Sequence, residues 1–170
     1  MSKSNLHLEI ESQVRAMVSP GELSEILTNA GDGLRMMDRV STHLNSSEAI
    51  ISADPEGSVQ LSYDVARKSI AAVLEAFGLR VHERAGSHSS FEKVTKIEAL
   101  TDPAWSDFGW MRKLRNRAEY GESLQPPISK EQAREAFLAA SEMAKDARAL
   151  LQKLRFELED SSSQITEVTR

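Results

Sequence analysis

Apolar residues recur every three or four positions along most of the chain, which is the spacing that places them on one side of an α-helix. In the first half of the chain, this pattern predicts helices over 5–18, from 21 to about 44, and from 59 to 77. Gly78 follows the third helix and predicts a left-handed C-cap, because glycine adopts a positive φ without steric cost.

The second half of the chain shows the same helical spacing. A short helix is predicted over 90–100, and a longer one over 102–121 begins with an Asp-Pro pair that suits the N-cap and N1 positions. Ser129 and Gln132 predict a capping box at the start of the last helix. That helix has apolar residues at alternating spacings of four and three: Ala133, Phe137, Ala140, Ala144, Ala147, Leu151, Leu154 and Leu158.

Two glycines, Gly31 and Gly33, lie inside the predicted second helix. Each glycine costs a helix about 1 kcal/mol relative to alanine. The pair therefore indicates either a kink or a neighbouring helix that packs too closely for a side chain, and the sequence is compatible with both.

Polar and turn-forming residues predict loops over 45–58 and 80–90, and no segment shows the alternation expected of a strand. Short loops favour antiparallel neighbours, so the sequence predicts an all-α protein, an antiparallel helical bundle of five to six helices. We expect an N-terminal helical extension over 1–20, the bundle over 21–160, and a flexible tail over 161–170, where apolar residues become sparse.

Composition and charge limit the classes of function. The 170 residues include no cysteine, which excludes disulfides and thiolate chemistry, and no apolar segment is long enough for a membrane span or a signal peptide. We therefore expect a cytoplasmic protein without a membrane partner. The formal net charge of -5 argues against broad, non-specific binding of nucleic acids, although a local basic cluster remains compatible with a phosphate backbone.

The common cofactor and metal motifs are absent from the sequence. It contains no phosphate-binding loop, no dinucleotide fingerprint and no His-Glu-x-x-His. The four histidines, His7, His43, His82 and His88, do not have the spacing of metal ligands. We therefore predict neither a metal site nor a cofactor.

A basic cluster stands out in this acidic chain: Arg112, Lys113, Arg115 and Arg117 supply four of six consecutive residues. On a helix, Arg112 shares a stripe with Asn116, Glu119 and Tyr120, whereas Arg115 falls at the edge of the apolar face and needs an anionic or carbonyl partner. The cations either stay solvated near the negative end of the helix dipole or form a phosphate-binding site.

The segment from Arg115 to Tyr120 resembles the motif segment of HEPN domains, in which an arginine, often followed by a polar residue, precedes a histidine on the same helix. The segments 63–68 and 74–80 look like another core helix of that family. His88 with Phe91 is similar to a histidine-containing segment of many members. The similarity covers roughly 59–158.

The resemblance implies a metal-independent endoribonuclease of a toxin–antitoxin or phage-defence system, acting as a homodimer and controlled by a cognate antitoxin. Arg115 would stabilise charge on the scissile phosphate, and Asn116 would orient that phosphate. The remaining cations of the cluster and His88 would contact the RNA: Arg112, Lys113, Arg117 and His88.

The sequence departs from the family where Tyr120 occupies the histidine position. A phenol is protonated at neutral pH and is a poor general base, but it can donate a proton or stack on a nucleobase. His88, in the preceding predicted loop, is the alternative candidate for the base. Three hypotheses follow: a ribonuclease with Arg115, Asn116 and Tyr120 as catalytic residues, a non-catalytic HEPN module that binds RNA, a nucleotide or a protein, and a structural helical dimer built on the last helix.

Overall fold

The structure is a computed structural model that describes residues 5–17, 22–27, 30–82, 87–97, 103–120 and 125–168. These residues form a bundle of six α-helices with a small two-stranded sheet, which confirms the predicted all-α helical bundle. The helices are α1 (Asn5–Met17), α2 (Ala30–Ile50), α3 (Pro55–Ala76), α4 (Ser87–Val94), α5 (Phe108–Tyr120) and α6 (Lys130–Val168). The strands are β1 (Leu23–Glu25) and β2 (Leu79–Val81), and a 3₁₀ helix, Pro103–Asp107, leads into α5.

Helices α2 and α3 form an antiparallel hairpin with a very short connection. Asp54 is the N-cap of α3, and its carboxylate accepts a hydrogen bond from the Gly57 backbone N–H at 2.9 Å. Pro55 occupies the first turn, where its missing N–H has no helical partner to lose.

The loop predicted over 45–58 is therefore confirmed only over 51–54 and is wrong on either side, because α2 extends to Ile50 and α3 begins at Pro55. The serines that suggested a loop instead serve the helices. Ser46 bonds back to the Thr42 carbonyl at 3.0 Å, and the buried Ser47 hydroxyl lies 2.7 Å from that of Ser62 on α3.

The prediction that the chain has no strand is also wrong. β1 pairs antiparallel with β2, with Leu23 opposite Val81 and Glu25 opposite Leu79. Strands of three residues are too short to show an alternating pattern, so no sequence signal predicts them. Consequently the helix predicted from residue 21 begins only at Ala30, and the loop predicted over 80–90 includes part of β2 and the start of α4.

Gly78 joins α3 to β2. It follows the C-cap residue Phe77 and has a φ of 71°, which confirms the predicted left-handed C-cap. The Gly78 carbonyl then accepts a hydrogen bond from the Ile26 N–H at 3.0 Å, which ties this turn to the end of β1.

The core lies between α3 and the helices around it. α3 packs against α2, α5 and α6, and α6 also packs against α2. One side of the first half of α6 is buried there through alanines that include Ala133, Ala140 and Ala147. The fully buried side chains Ile10 and Val14 of α1 belong to the same hydrophobic cluster, so the N-terminal helix packs on the bundle.

Gly33 shows why α2 contains a glycine near its start. A Cβ at this position would lie 2.6 Å from the Ala72 carbonyl oxygen of α3 and 2.9 Å from Leu151 Cδ2 of α6. Of the two alternatives left open by the sequence, close packing therefore applies at Gly33.

In the C-terminal half, the helix predicted over 90–100 is wrong over 95–97, because α4 ends at Val94, and the helix predicted over 102–121 is a 3₁₀ helix up to Asp107 and α-helical only from Phe108. The capping box is confirmed, since Gln132 N–H donates to Ser129 Oγ and Ser129 N–H donates to Gln132 Oε1, each at 3.2 Å. α6 continues through Val168, so the backbone of the expected flexible tail is helical up to that residue. Its mobility stays a prediction. The features predicted at 18–21, 98–102 and 121 lie outside the described residues.

Among the described helices, none combines the length and the apolar character needed to cross a lipid bilayer.

Candidate functional site

Helix α5 carries the predicted site residues on two different faces. Its third face is buried in the core through Phe108, Met111 and Leu114. One polar face holds Arg112 and Arg115 and points toward α4 and α3, as their contacts below show. The other holds Lys113, Asn116, Arg117 and Tyr120 beside a groove.

Arg112 joins α5 to α4. Its Nη2 lies 2.8 Å from Glu92 Oε2, and both side chains are half-buried. The Arg112 Nε atom is buried and makes no hydrogen bond with the part of the chain that the structure describes. With its charge matched by Glu92, Arg112 contributes to helix packing more directly than to ligand binding.

Arg115 is also engaged within the fold. It forms an ion pair with Glu119 one turn later on α5, and only 22% of its side chain is exposed. Its Cζ atom lies 6.0 Å from the ring centroid of Tyr63 and 5.9 Å from that of Tyr120. The expectation that Arg115 needs an anionic partner at the edge of the apolar face is therefore confirmed.

Tyr63 cannot replace the missing histidine as a base. Burial raises the pKa of its phenol to about 12, despite the opposing effect of the nearby Arg67, Arg115 and Arg112. The phenol therefore stays protonated at neutral pH, and its ring serves as an aromatic surface under the Arg115 guanidinium.

The other polar face of α5 borders a groove of about 440 Å³. Of the predicted site residues, the structure brings four together here. The groove is lined by Trp110, Lys113, Leu114, Asn116, Arg117, Tyr120, Gln125 and Gln132. Within the described part of the chain, no carboxylate contributes to this lining, although the protein as a whole has an excess of acidic residues.

Two aromatic side chains are exposed at this groove. Tyr120 is 71% exposed and Trp110 is 37% exposed, so a ligand in the groove can reach both rings. Trp110 was not among the residues predicted from the sequence. Its spacing from Lys113 and Arg117, three and seven residues along one helix, is the signal that places it on their face.

Arg117 is held in a fixed position at the groove. Its Nη2 donates to Gln132 Oε1 at 2.6 Å, so it is attached to the capping box at the start of α6. Its Nε is buried and has no hydrogen-bond partner among the described residues. Lys113, by contrast, is exposed, and no described residue forms an ion pair with it.

A second cavity, of about 450 Å³, lies on the other side of Trp110 and has the opposite charge. Asp107, Glu135 and Glu142 line it together with Trp110 and Leu138. The Trp110 ring therefore marks a boundary between a cationic and an acidic surface. An anionic ligand is therefore attracted to the groove side of the Trp110 ring and repelled from the side that carries the carboxylates.

His88 is the histidine predicted to contribute to the site, and the structure describes its backbone only. His88 lies in the first turn of α4, not in a loop as predicted, and its side chain is outside the described part of the structure. His43 Nδ1 lies 2.7 Å from Asp64 Oδ2, on α2 and α3, so this histidine does not line the α5 groove. In the described segments, no three His, Asp or Glu side chains come together as metal ligands.

Comparison with known proteins found no similarity: no protein-family model, no curated protein and no solved structure matches this chain. The resemblance to HEPN domains therefore rests on the motif residues alone.

Proposed function

We propose that this protein binds single-stranded RNA through the α5 groove, as a non-catalytic module. One observation carries the proposal. In a protein of net charge -5, the groove combines two cations with two exposed aromatic rings and lacks a carboxylate among its described lining residues.

This combination suits an unpaired strand. Every nucleobase offers a π-face, and stacking on an aromatic side chain contributes about 1–3 kcal/mol per base. Lys113 and Arg117 lie between Trp110 and Tyr120 along the helix, so their charges fall where the phosphates linking stacked bases would pass. Asn116 and Gln132 add amide groups that can hydrogen-bond to base edges or riboses.

Metal-independent cleavage of RNA, as the HEPN resemblance implies, is the second proposal. It is supported by the position of Arg115, whose guanidinium lies beside the Tyr120 ring and donates to Asn116 Oδ1 at 3.3 Å. Two features favour binding over cleavage. Glu119 compensates the charge of Arg115, and no histidine is among the described residues that line the groove.

The binding proposal predicts a specific pattern in fluorescence anisotropy with a labelled single-stranded RNA at low salt. We expect Lys113→Ala to weaken binding several-fold and to reduce the slope of log K against log salt by about one, because it removes one phosphate contact. Tyr120→Ala should weaken binding by about tenfold through lost stacking, whereas Tyr120→Phe, which keeps the ring, should bind nearly as the wild type does.

Lys153→Ala is the matched control. Lys153 is an exposed cation on α6, about 30 Å along that helix from Gln132 at 1.5 Å per residue. Equal weakening by Lys113→Ala and Lys153→Ala would show that binding is a general charge effect. Equal affinity for a duplex of the same sequence would exclude the stacking interpretation.

A further inference from the structure

A cavity of about 480 Å³ lies between α2, α3, β2 and α4 and shares no lining residue with the α5 groove. Its apolar lining comes from Ala71 and Leu74 of α3, Val81 of β2 and Phe91 of α4. The volume is within the range of about 300–1,000 Å³ that is typical of small-molecule sites. Nothing in the sequence pattern predicted this cavity, because its residues come from four separate elements.

Three arginines surround this apolar lining: Arg39, Arg67 and Arg80. Glu75 is the one carboxylate among the described lining residues, and it pairs with Arg80 at 3.2 Å. Arg39 is exposed and forms no ion pair with any residue that the structure describes. The cavity therefore has an excess of positive charge beside an apolar surface.

Arg67 is the most firmly positioned of the three arginines. Its Nη2 donates to Asp64 Oδ1 at 2.6 Å, and its Cζ lies 5.9 Å from the centroid of the Phe91 ring. These contacts use one edge and one face of the guanidinium. The guanidinium has five N–H donors in total, so other donors remain for an oxyanion.

We infer that this cavity binds a small organic anion, with an apolar or aromatic body and one phosphate or carboxylate group. The body would lie on Leu74, Val81 and Phe91, and the anionic group would be held between Arg39 and Arg67. Guanidinium groups bind planar carboxylates and phosphates through paired hydrogen bonds, which a simple ammonium cannot match. An inorganic anion alone would leave the apolar surface uncovered and would bind more weakly.

The test is a ¹⁵N-HSQC titration of the full chain that follows both backbone and arginine Nε–Hε signals. The probes are phenyl phosphate, benzoate, inorganic phosphate and phenol. We expect saturable shifts at Arg39, Arg67 and Phe91 with at least one of the two aromatic anions. We expect inorganic phosphate to bind at least tenfold more weakly, and phenol, which lacks the charge, to give no saturation below 10-fold higher concentrations. Phenyl phosphate and benzoate together distinguish a phosphate site from a carboxylate site.

Arg39→Gln should weaken binding of the preferred probe by about tenfold, as expected for the loss of a charged hydrogen bond. Arg39 is exposed, so this change leaves the core intact. Arg35→Gln is the matched control, because Arg35 lies on the same helix, pairs with Asp32 and does not line the cavity.

The inference is overturned if neither aromatic anion saturates, or if inorganic phosphate binds as tightly as phenyl phosphate. Equal weakening by Arg39→Gln and Arg35→Gln would overturn it too. These outcomes are independent of the RNA-binding proposal, because the two sites have no residue in common.

Discussion

Asp64 links α2 to α3 through contacts with three basic side chains. Arg67 Nη2 and Lys68 Nζ each lie 2.6 Å from its carboxylate oxygens, and His43 Nδ1 lies 2.7 Å away. Lys68 Nζ is also 3.3 Å from His43 Nδ1, which can donate to Asp64 or accept from Lys68 but cannot do both at once. Burial raises the pKa of Asp64, but the hydrogen bonds from Lys68 and Arg67 outweigh it and hold the pKa below its ordinary range.

This arrangement predicts a pH-dependent contribution to stability. A lowered folded-state pKa means that the stabilisation is present above the unfolded-state value of about 4 and is lost as the pH falls through the lower, folded-state value. Asp64→Asn should reduce the free energy of unfolding by about 1–3 kcal/mol at pH 7, since it leaves the half-buried cations without their carboxylate. The difference from wild type should shrink below about pH 4.

Urea unfolding curves from pH 7 to pH 2 would measure this effect. Asp38→Asn is the control, because Asp38 is largely exposed and lies 3.6 Å from Arg148, an ion pair that contributes little in water. A gap between Asp64→Asn and wild type that stays constant over this pH range would contradict the proposed role of the carboxylate.

At the scale of single residues, the sequence predicted the site only in part. Arg115 and Glu119 are four residues apart on one helix, so their pairing follows from local spacing. The anion-binding cavity had no such signal. Arg39, Arg67 and Arg80 belong to two helices and a strand, and they become neighbours only through tertiary packing.

At the scale of elements, helices with many core contacts were the most predictable. Residues 59 to 76 of α3 and the first half of α6 show clear apolar periodicity because each buries one continuous side. The start of α2 was mispredicted, because Leu23 and Ile26 have helical spacing, whereas β1 ends at Glu25 and is too short to show an alternating pattern. Residues 23–25 form a strand because β1 pairs with the distant β2, and no local pattern encodes that contact.

Gly33 provides a test of the close packing between these elements. Gly33→Ala raises intrinsic helix propensity by about 1 kcal/mol, but its methyl group would meet the Ala72 backbone carbonyl, which cannot rotate away. We therefore expect a net loss of about 1–3 kcal/mol in the free energy of unfolding, as for other overpacked cores.

Thermal and urea unfolding of Gly33→Ala would be compared with Thr42→Ala. Thr42 is exposed on the same helix, so its replacement should change stability by no more than about 0.5 kcal/mol. A gain in stability for Gly33→Ala, as propensity alone implies, would show that α2 can move away from α3 at little cost.

At the scale of the whole molecule, charge is distributed unevenly over the surface. A cationic groove and an acidic cavity meet at Trp110, and a separate arginine-rich cavity lies between α2, α3, β2 and α4. The overall charge of -5 disfavours indiscriminate contact with nucleic acids, so the proposed RNA strand would be attracted only where the local charge is reversed. This separation favours a selective binding surface over a general affinity for polyanions.

Replacing Glu119 distinguishes the two proposals, RNA binding without cleavage and metal-independent RNA cleavage. If the α5 groove only binds RNA, then wild type, Arg115→Ala and Glu119→Gln should all leave total RNA intact in the presence of a chelator. Glu119→Gln should nevertheless bind RNA a few-fold more tightly, since it releases the charge of Arg115 beside the groove.

If the protein is a HEPN-like ribonuclease, Glu119→Gln should cleave RNA without metal, and the additional change Arg115→Ala should abolish that cleavage. Light scattering during the assay would show whether any active species is the homodimer that the resemblance implies. Cleavage that survives Arg115→Ala would contradict the assigned role of Arg115 in catalysis.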